Sequence, residues 1–336
     1  MIDAELPRVV VLSTGGTIAG RGDSAMSLSE YKAGSLDGEQ LVEAVPELRE
    51  FARVRVEQVG NIGSSNMTMA VWCTLARRID TLFAGDAGIA GVVITHGTST
   101  LEETAYFLNL TVRHDRPVVL VGAQRPATAL SADGPLNLVN AVRTAASPDS
   151  RGRGVLVVLN DEINAARDVT KSNTYRAETF RSGELGFLGY VDQDKVAYYR
   201  SPDKRHTVKS EFDLRALATL PAVEIVYSAV ESNAPLLVDA LHGAGVRGIV
   251  FAATGAGSLS DREREAVRKS VAESRGTVFV RSTRVPNGRV LGRAEFDRLG
   301  IVAADNLSPQ KARILLMLAL ATTSDVRTIR RMFSEY

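Results

Sequence analysis

"RVVVLSTGGTIAG", residues 8–20, joins a run of four apolar residues to a cluster of hydroxyl and glycine residues. A β-branched run of this length predicts a buried strand, and the Gly15–Gly16 pair marks its end. The hydroxyls that follow have two interpretations. They form either a tight turn with capping residues, or a threonine nucleophile at the exit of a strand.

Similar apolar runs recur along the chain and alternate with segments of helical periodicity. This alternation predicts an α/β fold, with a mainly parallel sheet flanked by helices, because strands covered on both faces read as continuous apolar runs. The predicted strands are 8–13, 53–59, 90–95, 117–122 and 154–160, and the predicted helices are 38–46, 67–83, 100–113 and 134–146.

The alternation stops over residues 195–220 and then resumes. A chain of 336 residues exceeds the ~100–200 residues of one typical domain. We therefore predict a larger N-terminal domain (1–200), a linker (201–220) and a smaller C-terminal α/β domain (221–336). The second domain has predicted strands at 222–228, 248–253 and 277–283, and predicted helices near 234–244, 260–273, 308–322 and 324–335.

Composition and charge exclude several classes of protein. Lysine and arginine total 40, aspartate and glutamate total 39, and the net charge is +1. This balance gives no general attraction to nucleic acid or to an anionic membrane, and we expect neither as a partner. The single cysteine, Cys73, excludes a disulfide within the chain, and the four histidines lack metal-ligand spacing, so no metal site is expected.

The N-terminal sequence "MIDAELPRVVVLS" lacks the basic start and long apolar stretch of a signal peptide. No apolar run approaches the ~20 residues of a membrane span. The chain as given is therefore expected in the cytoplasm, and a periplasmic or secreted protein stays the alternative if a leader was removed.

The loop after the first strand does not fit a dinucleotide site. Its glycines lack the G-x-G-x-x-G spacing, and no helical pattern begins directly after it. Residues 20–34 are rich in glycine and serine and include Tyr31. Such a segment is typical of a mobile lid over a site, or of a disordered surface loop.

A second cluster of hydroxyls occurs in "THGTSTLEETAYF", residues 95–107, which also follows a predicted strand. Thr98 or Thr100, with Glu102 and Glu103 in the next turn, predicts a helix N-terminus with a hydroxyl cap. One capping threonine does not explain a loop that contains three.

Two ionisable residues near these loops have alternative interpretations. His96 could act as a general base, although a core or supporting role is favoured. Lys171, in "ARDVTKSNTYR", is the only lysine between Lys32 and Lys195. It is either a solvated surface residue or a buried base whose pKa is lowered.

A threonine hydroxyl needs a base or proton relay, oxyanion donors and a dry pocket before it can act as a nucleophile. Thr17 with Tyr31, and Thr98 with Lys171, could provide two such pairs. Backbone N–H groups near Thr17 and Thr98 could bind the oxyanion. Spacing in the sequence does not bring these residues together.

The motifs "TGGTIAG", "THGT", "EETAYF", "SADGP", "VLNDE", "RDVTK" and "NLSPQKARILLMLAL" in combination resemble bacterial L-asparaginases of the two-domain type, and the likeness runs from Arg8 to Tyr336. The resemblance implies hydrolysis of the side-chain amide of asparagine, and often of glutamine, to the acid and ammonia. It also implies that no cofactor is used, and that four copies assemble as a homotetramer of intimate dimers.

The resemblance also implies roles for individual residues. Thr17 matches the primary nucleophile, and Tyr31 the lid tyrosine that assists it. Thr98 and Lys171 match two members of a second triad. The matching substrate-binding positions are Ser64 for the α-carboxylate, Ser65 beside it in the pocket, and Ser258 and Glu295, which a neighbouring subunit contributes.

One position departs from the family pattern, in which an aspartate stands where this chain has Ser99. That aspartate contacts the substrate α-ammonium and belongs to the triad with the lysine. A carboxylate facing an ammonium makes a charge-assisted hydrogen bond, whereas a serine offers a neutral hydroxyl. Without this carboxylate, Lys171 is also easier to deprotonate. Ser258 is a milder variation that suggests a roomier site and weaker discrimination between asparagine and glutamine.

Three functions stay open at this point. The first is an asparaginase, with Glu295 holding the ammonium. The second is an amidohydrolase of the same family that acts on a half-amide or lactam without a standard α-ammonium. The third is a non-catalytic amino-acid sensor, which the survival of Thr17, Tyr31, Thr98 and Lys171 disfavours. Direct attack by water, without a covalent threonine ester, is likewise open.

Overall fold

The computed structural model describes residues 5–217, 219–273 and 276–336. Two of the predictions fall partly outside these ranges. They concern the N-terminal sequence, of which residues 1–4 are not described, and the predicted linker, of which residue 218 is not described. The chain divides into two compact units between Ser210 and Glu211. No helix in the described ranges is long and apolar enough to cross a membrane.

The first unit follows the predicted alternation of strands and helices closely. Its earlier elements are β1 (Arg8–Gly15), α1 (Gly38–Glu43), β2 (Arg53–Ile62), α2 (Met69–Gly85), β3 (Ile89–Thr95), α3 (Leu101–Thr111), β4 (Val118–Val121), α4 (Gly134–Ala146) and β5 (Val155–Leu159). Short strands follow as β6 (Glu162–Ala165), β7 (Thr170–Lys171), β8 (Phe180–Arg181), β9 (Gly189–Val191) and β10 (Val196–Tyr198).

Eight of these strands form one sheet in the order β10-β9-β6-β5-β4-β3-β1-β2. Strands β1 to β5 are parallel. Because β1 lies between β2 and β3, the strand order reverses there. Ligands bind parallel sheets at such a switch point, beyond the carboxyl ends of the strands. Thr17 follows β1 and Thr98 follows β3, so both hydroxyl loops lie at the reversal.

Three antiparallel strands at one end of the sheet were missed by the sequence analysis. β6 pairs with β5, and β9 lies between β6 and β10. β10 begins inside the segment 195–220, where the predicted alternation stops, and it lies within the predicted N-terminal domain of residues 1–200. Strands of three or four residues are too short to show a clear period of two.

Helices cover both faces of the sheet. On one face, Leu41 of α1 and Leu138 of α4 pack in a single core with Val9, Val11 and Val93 of the strands. Helices α2 and α3 contact each other through stacked rings, with the centroids of Trp72 and Phe107 5.0 Å apart. The strands are therefore buried on both sides, which explains their continuous apolar sequences.

The second unit contains a four-stranded parallel sheet in the order β11-β12-β13-β14. Its core includes Val238, Phe251, Val267, Phe279 and Phe296. Its elements are β11 (Val223–Tyr227), α5 (Ala234–Gly243), β12 (Gly248–Ala253), α6 (Asp261–Ala272), β13 (Val278–Thr283), α7 (Ala294–Asp297), β14 (Val302–Ala303), α8 (Pro309–Thr322) and α9 (Val326–Glu335).

Candidate active site

The Gly15–Gly16 pair lets the loop after β1 approach the loop after β3. Gly16 has a φ of 87°, and a Cβ placed on it would lie 2.3 Å from the backbone nitrogen of Gly97. Only glycine fits this conformation and this close approach. The residues that precede Thr17 and Thr98 are therefore in direct backbone contact.

Thr17 lies just beyond this contact, in a short 3₁₀ turn, and is buried. The Tyr31 hydroxyl is 2.6 Å from Thr17 Oγ1. The segment 20–34 that carries Tyr31 is closed at its neck by an antiparallel bridge between Arg21 and Lys32. The segment thus places the Tyr31 hydroxyl against Thr17, and its role as a mobile lid stays a prediction.

The second pair is formed by Lys171 and Thr98, which is also buried. The Lys171 Nζ donates a hydrogen bond of 2.7 Å to Thr98 Oγ1. The Lys171 backbone N–H donates to Glu102 Oε2 at 3.2 Å, which ties strand β7 to the start of α3. Sequence reasoning assigned Glu102 only to the helix turn and missed this anchoring contact.

Burial lowers the pKa of Lys171 from its ordinary value of 10.5. Within the described ranges, no carboxylate forms an ion pair with its ammonium. The position next to Thr98 holds Ser99, which is exposed. The neutral amine of Lys171 can accept the proton of the Thr98 hydroxyl, so this pair can activate a nucleophile.

Ser64 connects the loop after β2 to the same region. Ser64 is buried, and its Oγ accepts a hydrogen bond of 3.1 Å from the Ser99 backbone N–H. Because this bond uses an acceptor lone pair, the Ser64 hydroxyl proton remains able to bind an anionic group. Ser65 is the next residue of the same 3₁₀ turn and is exposed.

The predicted hydroxyl cap of α3 is wrong. Thr100 occupies the N-cap position, but its hydroxyl donates to the Ser64 carbonyl at 2.7 Å instead of capping the helix. The Thr98 hydroxyl is engaged by Lys171. The predicted acidic first turn is confirmed for Glu102 and Glu103. The threonines of this loop thus make contacts between loops, which a local capping argument does not detect.

His96 is fully buried and belongs to a hydrogen-bonded chain beneath the site. Its Nδ1–H donates to the Gly97 carbonyl at 2.7 Å, so its Nε2 accepts from Thr104 Oγ1 at 2.9 Å. The indole N–H of Trp72 in turn donates to Thr104 Oγ1 at 2.7 Å. Burial lowers the pKa of His96 to about 4, so the ring is neutral. The favoured core role is confirmed.

Ser258 and Glu295 belong to the second unit. Ser258 is exposed and closes a tight turn through its N–H, which donates to the Thr254 carbonyl at 2.8 Å. Glu295 lies on the single turn of α7, with its side chain 54% exposed, and its Oε2 is 3.9 Å from Arg264 Nη1. Their predicted contribution to a neighbouring subunit's site stays a prediction.

The four residues predicted as catalytic thus occur as two hydrogen-bonded pairs on loops that touch at Gly16 and Gly97. Each pair joins a threonine hydroxyl to a group that can relay or accept a proton. In the described residues, no group of three or more His, Cys, Asp or Glu side chains is arranged to hold a metal ion. The arrangement fits acyl transfer by a hydroxyl nucleophile.

Comparison with known proteins covers both units. The family described as "Asparaginase, N-terminal" matches residues 8–204, and the "Glutaminase/Asparaginase C-terminal domain" matches residues 222–333. "L-asparaginase 2" of Bacillus subtilis (strain 168) is 48% identical over 332 residues, which cover 99% of this chain and 87% of that protein. "L-asparaginase 2" of Escherichia coli (strain K12) is 49% identical over 334 residues, 98% of this chain and 94% of that protein.

A solved structure shows the same fold over nearly the whole chain. The crystal structure of a "Probable Cytoplasmic L-asparaginase" from Campylobacter jejuni superimposes with a TM-score of 0.95 at 45% sequence identity. The match covers 98% of this chain and 100% of that chain.

Proposed function

Since this chain belongs to the asparaginase family, a family of hydrolases that act on amides, we propose that it hydrolyses the side-chain amide of L-asparagine to L-aspartate and ammonia. L-Glutamine is proposed as a further substrate, in keeping with the glutaminase named in the C-terminal family description. The supporting geometry is the meeting of two activated threonine pairs at the switch point of the sheet.

In the proposed mechanism, Thr17 Oγ attacks the amide carbon of the substrate. Tyr31, 2.6 Å away, is the nearest hydroxyl that can accept and relay the Thr17 proton. A C–O bond forms, the C–N bond breaks, and ammonia leaves with the relayed proton. Backbone N–H groups near Thr17 and Thr98 bind the oxyanion as it develops.

The second pair serves the same reaction from the opposite loop. Neutral Lys171 takes the proton of the Thr98 hydroxyl, and this pair then activates the water that hydrolyses the acyl-enzyme. The lowered pKa of Lys171 supports this role, because more of the amine is unprotonated near neutral pH. In the alternative order of reaction steps, the same pair activates water for direct attack on the amide, without a threonine ester.

Substrate binding is assigned to the serines around this centre and to two residues of the second unit. Ser64 holds the α-carboxylate, Ser65 and Ser99 line the pocket, and Glu295 binds the α-ammonium. Ser258 contacts the substrate beside Glu295. We further propose a homotetramer of intimate dimers in which Ser258 and Glu295 complete the neighbouring subunit's site.

A second candidate substrate class is favoured by Ser99. Because this residue lacks the carboxylate of the family pattern, a half-amide or lactam without a standard α-ammonium would fit the pocket without loss of an ion pair. A cytoplasmic location is proposed from the name of the C. jejuni protein. Cell fractionation of the source organism tests the location.

Ammonia release from asparagine, glutamine and succinamic acid, together with ring opening of small lactams, which frees no ammonia, tests the proposed activity. Turnover of asparagine supports the first candidate. Turnover of succinamic acid without turnover of asparagine selects the second candidate. Absence of turnover of any amide refutes both and leaves an amino-acid sensor.

Mixing two variants that are each impaired in a different part of the site tests the assembly. Thr17→Ala retains the proposed trans residues, and Glu295→Gln retains the nucleophile. If sites are completed between subunits, hybrids of the two variants contain intact sites and regain activity. Absence of regained activity, with hybrid formation shown by native mass spectrometry, contradicts the shared site.

A further inference from the structure

Arg281 is a fully buried arginine in the second unit, on strand β13. Its side chain is the largest of those that are less than 2% exposed. Removing a guanidinium from water is unfavourable unless its donors are satisfied and its charge is compensated. Burial lowers the pKa of Arg281 to about 10, so the group stays charged at neutral pH.

The guanidinium contacts two separate loops through backbone carbonyls. Nη1 donates to the Gly257 carbonyl at 2.5 Å, and Nη2 donates to the Leu291 carbonyl at 2.9 Å. Gly257 directly precedes Ser258. Leu291 begins the segment that leads into α7 and Glu295. The planar guanidinium of Arg281 therefore bonds both to the loop that carries Ser258 and to the loop that carries Glu295.

A third contact reaches the residue after Glu295. The Arg281 guanidinium carbon lies 3.7 Å from the ring centroid of Phe296, a cation–π contact. Phe296 is itself buried in the core of the unit. Leu291 and Phe296 flank Glu295 on both sides in the sequence, so the guanidinium anchors both ends of the segment that presents this carboxylate.

The two loops contain little regular secondary structure, only the isolated bridges Thr254–Ser258 and Val290–Asp305 and the four residues of α7, so a shared anchor adds to their order. A single helical turn such as α7 is not stable by itself, since helix nucleation is unfavourable. Further contacts of these loops include the Val290 N–H to the Asp305 carbonyl, the 3.9 Å pair between Arg264 and Glu295, and the 3.0 Å pair between Arg330 and Asp297. Arg281 donates hydrogen bonds to carbonyls of both loops.

We propose that Arg281 is a positioning residue that sets Ser258 and Glu295 in register with each other, so that they recognise the α-ammonium end of an amino-acid substrate. The inference rests on the proposed function. Arg281 touches no substrate in this account and acts only through the two loops. A lysine keeps the charge but lacks the planar fork, and it cannot bond both carbonyls in the same geometry.

The test is steady-state kinetics of the full chain with asparagine and with succinamic acid, which lacks the α-ammonium. In Arg281→Lys we expect the KM for asparagine to rise about tenfold with kcat within about threefold, because a misplaced carboxylate weakens a charge-assisted bond. The kcat/KM for succinamic acid should change less than about twofold, since that substrate does not use Glu295.

A double variant and a matched control separate positioning from general destabilisation. Arg281→Lys combined with Glu295→Gln should bind asparagine no worse than Glu295→Gln alone, because the two changes weaken the same interaction with the substrate ammonium. Arg313→Lys is the control. Arg313 also donates to a backbone carbonyl in this unit, that of Val223 at 2.7 Å, and in the part of the chain that the structure describes it bonds to neither loop. Arg313→Lys should leave the ratio of kcat/KM for asparagine to kcat/KM for succinamic acid unchanged.

Three outcomes overturn the inference. These are an unchanged KM for asparagine in Arg281→Lys, an equal loss for both substrates, or additive effects in the double variant. If Arg281→Lys does not fold, Phe296→Leu keeps an apolar side chain in the core and removes the ring contact, and it should raise the KM for asparagine selectively, by about threefold. An unchanged ratio of kcat/KM for the two substrates in Phe296→Leu also overturns the inference. Failure of the proposed function is separate, because the unaltered chain would then release no ammonia from asparagine.

Discussion

Replacing Ser99 by aspartate tests what the substrate amino group contacts. Ser99 is exposed in the chain and stands next to Thr98, and its backbone N–H already bonds to Ser64 Oγ. A carboxylate can therefore be added to the pocket without removing that backbone contact. If the substrate is an α-amino acid, its ammonium gains a charge-assisted partner.

The expected size of the effect follows from hydrogen-bond energies. A charge-assisted hydrogen bond contributes about 1.5–3 kcal/mol and a neutral one about 1 kcal/mol. The difference is therefore about 0.5–2 kcal/mol, and because Ser99 is exposed and solvent screens the interaction, we take about 1 kcal/mol and not the upper end. This corresponds to a roughly fivefold fall in the KM for asparagine.

The same substitution should change the pH dependence. A carboxylate near the Lys171 ammonium favours the charged form, so the pKa of Lys171 should rise in Ser99→Asp. The acid limb of the rate profile, where the amine loses its proton, then moves to higher pH. Tighter binding and a shifted profile should therefore appear together.

The assay is ammonia release from asparagine between pH 5 and about 10, with succinamic acid as the substrate without an ammonium. Ser99→Asn is the matched control, since it has the shape of aspartate without its charge. An unchanged or higher KM for asparagine in Ser99→Asp, or an equal fall in Ser99→Asn, would refute the assignment of this position to the ammonium.

Three further predictions concern Thr17, Lys171 and His96. Thr17→Ala should lower kcat by more than about 10³-fold while circular dichroism and thermal melting stay close to those of the unaltered chain, because among the described residues its hydroxyl bonds to Tyr31 alone. Retained turnover would favour direct attack by water. Lys171→Met should lose the acid limb of the kcat/KM profile together with most activity, and a persisting limb would assign that limb to another group. The pKa of His96 is about 4 in the folded chain, against 6.5 for the ordinary group, so the unfolded state binds the proton more tightly. The free energy of unfolding should therefore fall by about 3 kcal/mol as the pH drops from about 6.5 to 4. Urea unfolding at several pH values measures this loss of stability, which should be smaller in His96→Gln. An equal loss in His96→Gln would show that protonation of other residues causes it.

The sequence by itself determined the elements of the larger sheet that have long apolar runs. β1, β3, β4 and β5 and the helices between them are each specified by residues that are adjacent in the chain, because periodicity and β-branching act locally. The motifs around Thr17, Thr98 and Lys171 likewise indicated the family without a structure. β6, β9 and β10 escaped because each is too short to show a period.

Only the tertiary structure decided which hydroxyls meet which partners. Lys171 and Thr98 are 73 residues apart, and they meet where the Lys171 backbone N–H bonds to Glu102 and ties β7 to the start of α3. The local pattern at Thr100 suggested a cap, but a carbonyl from another loop competes for its hydroxyl. The lowered pKa of Lys171 also arises from burial, and burial is set by residues distant in sequence that pack around the amine.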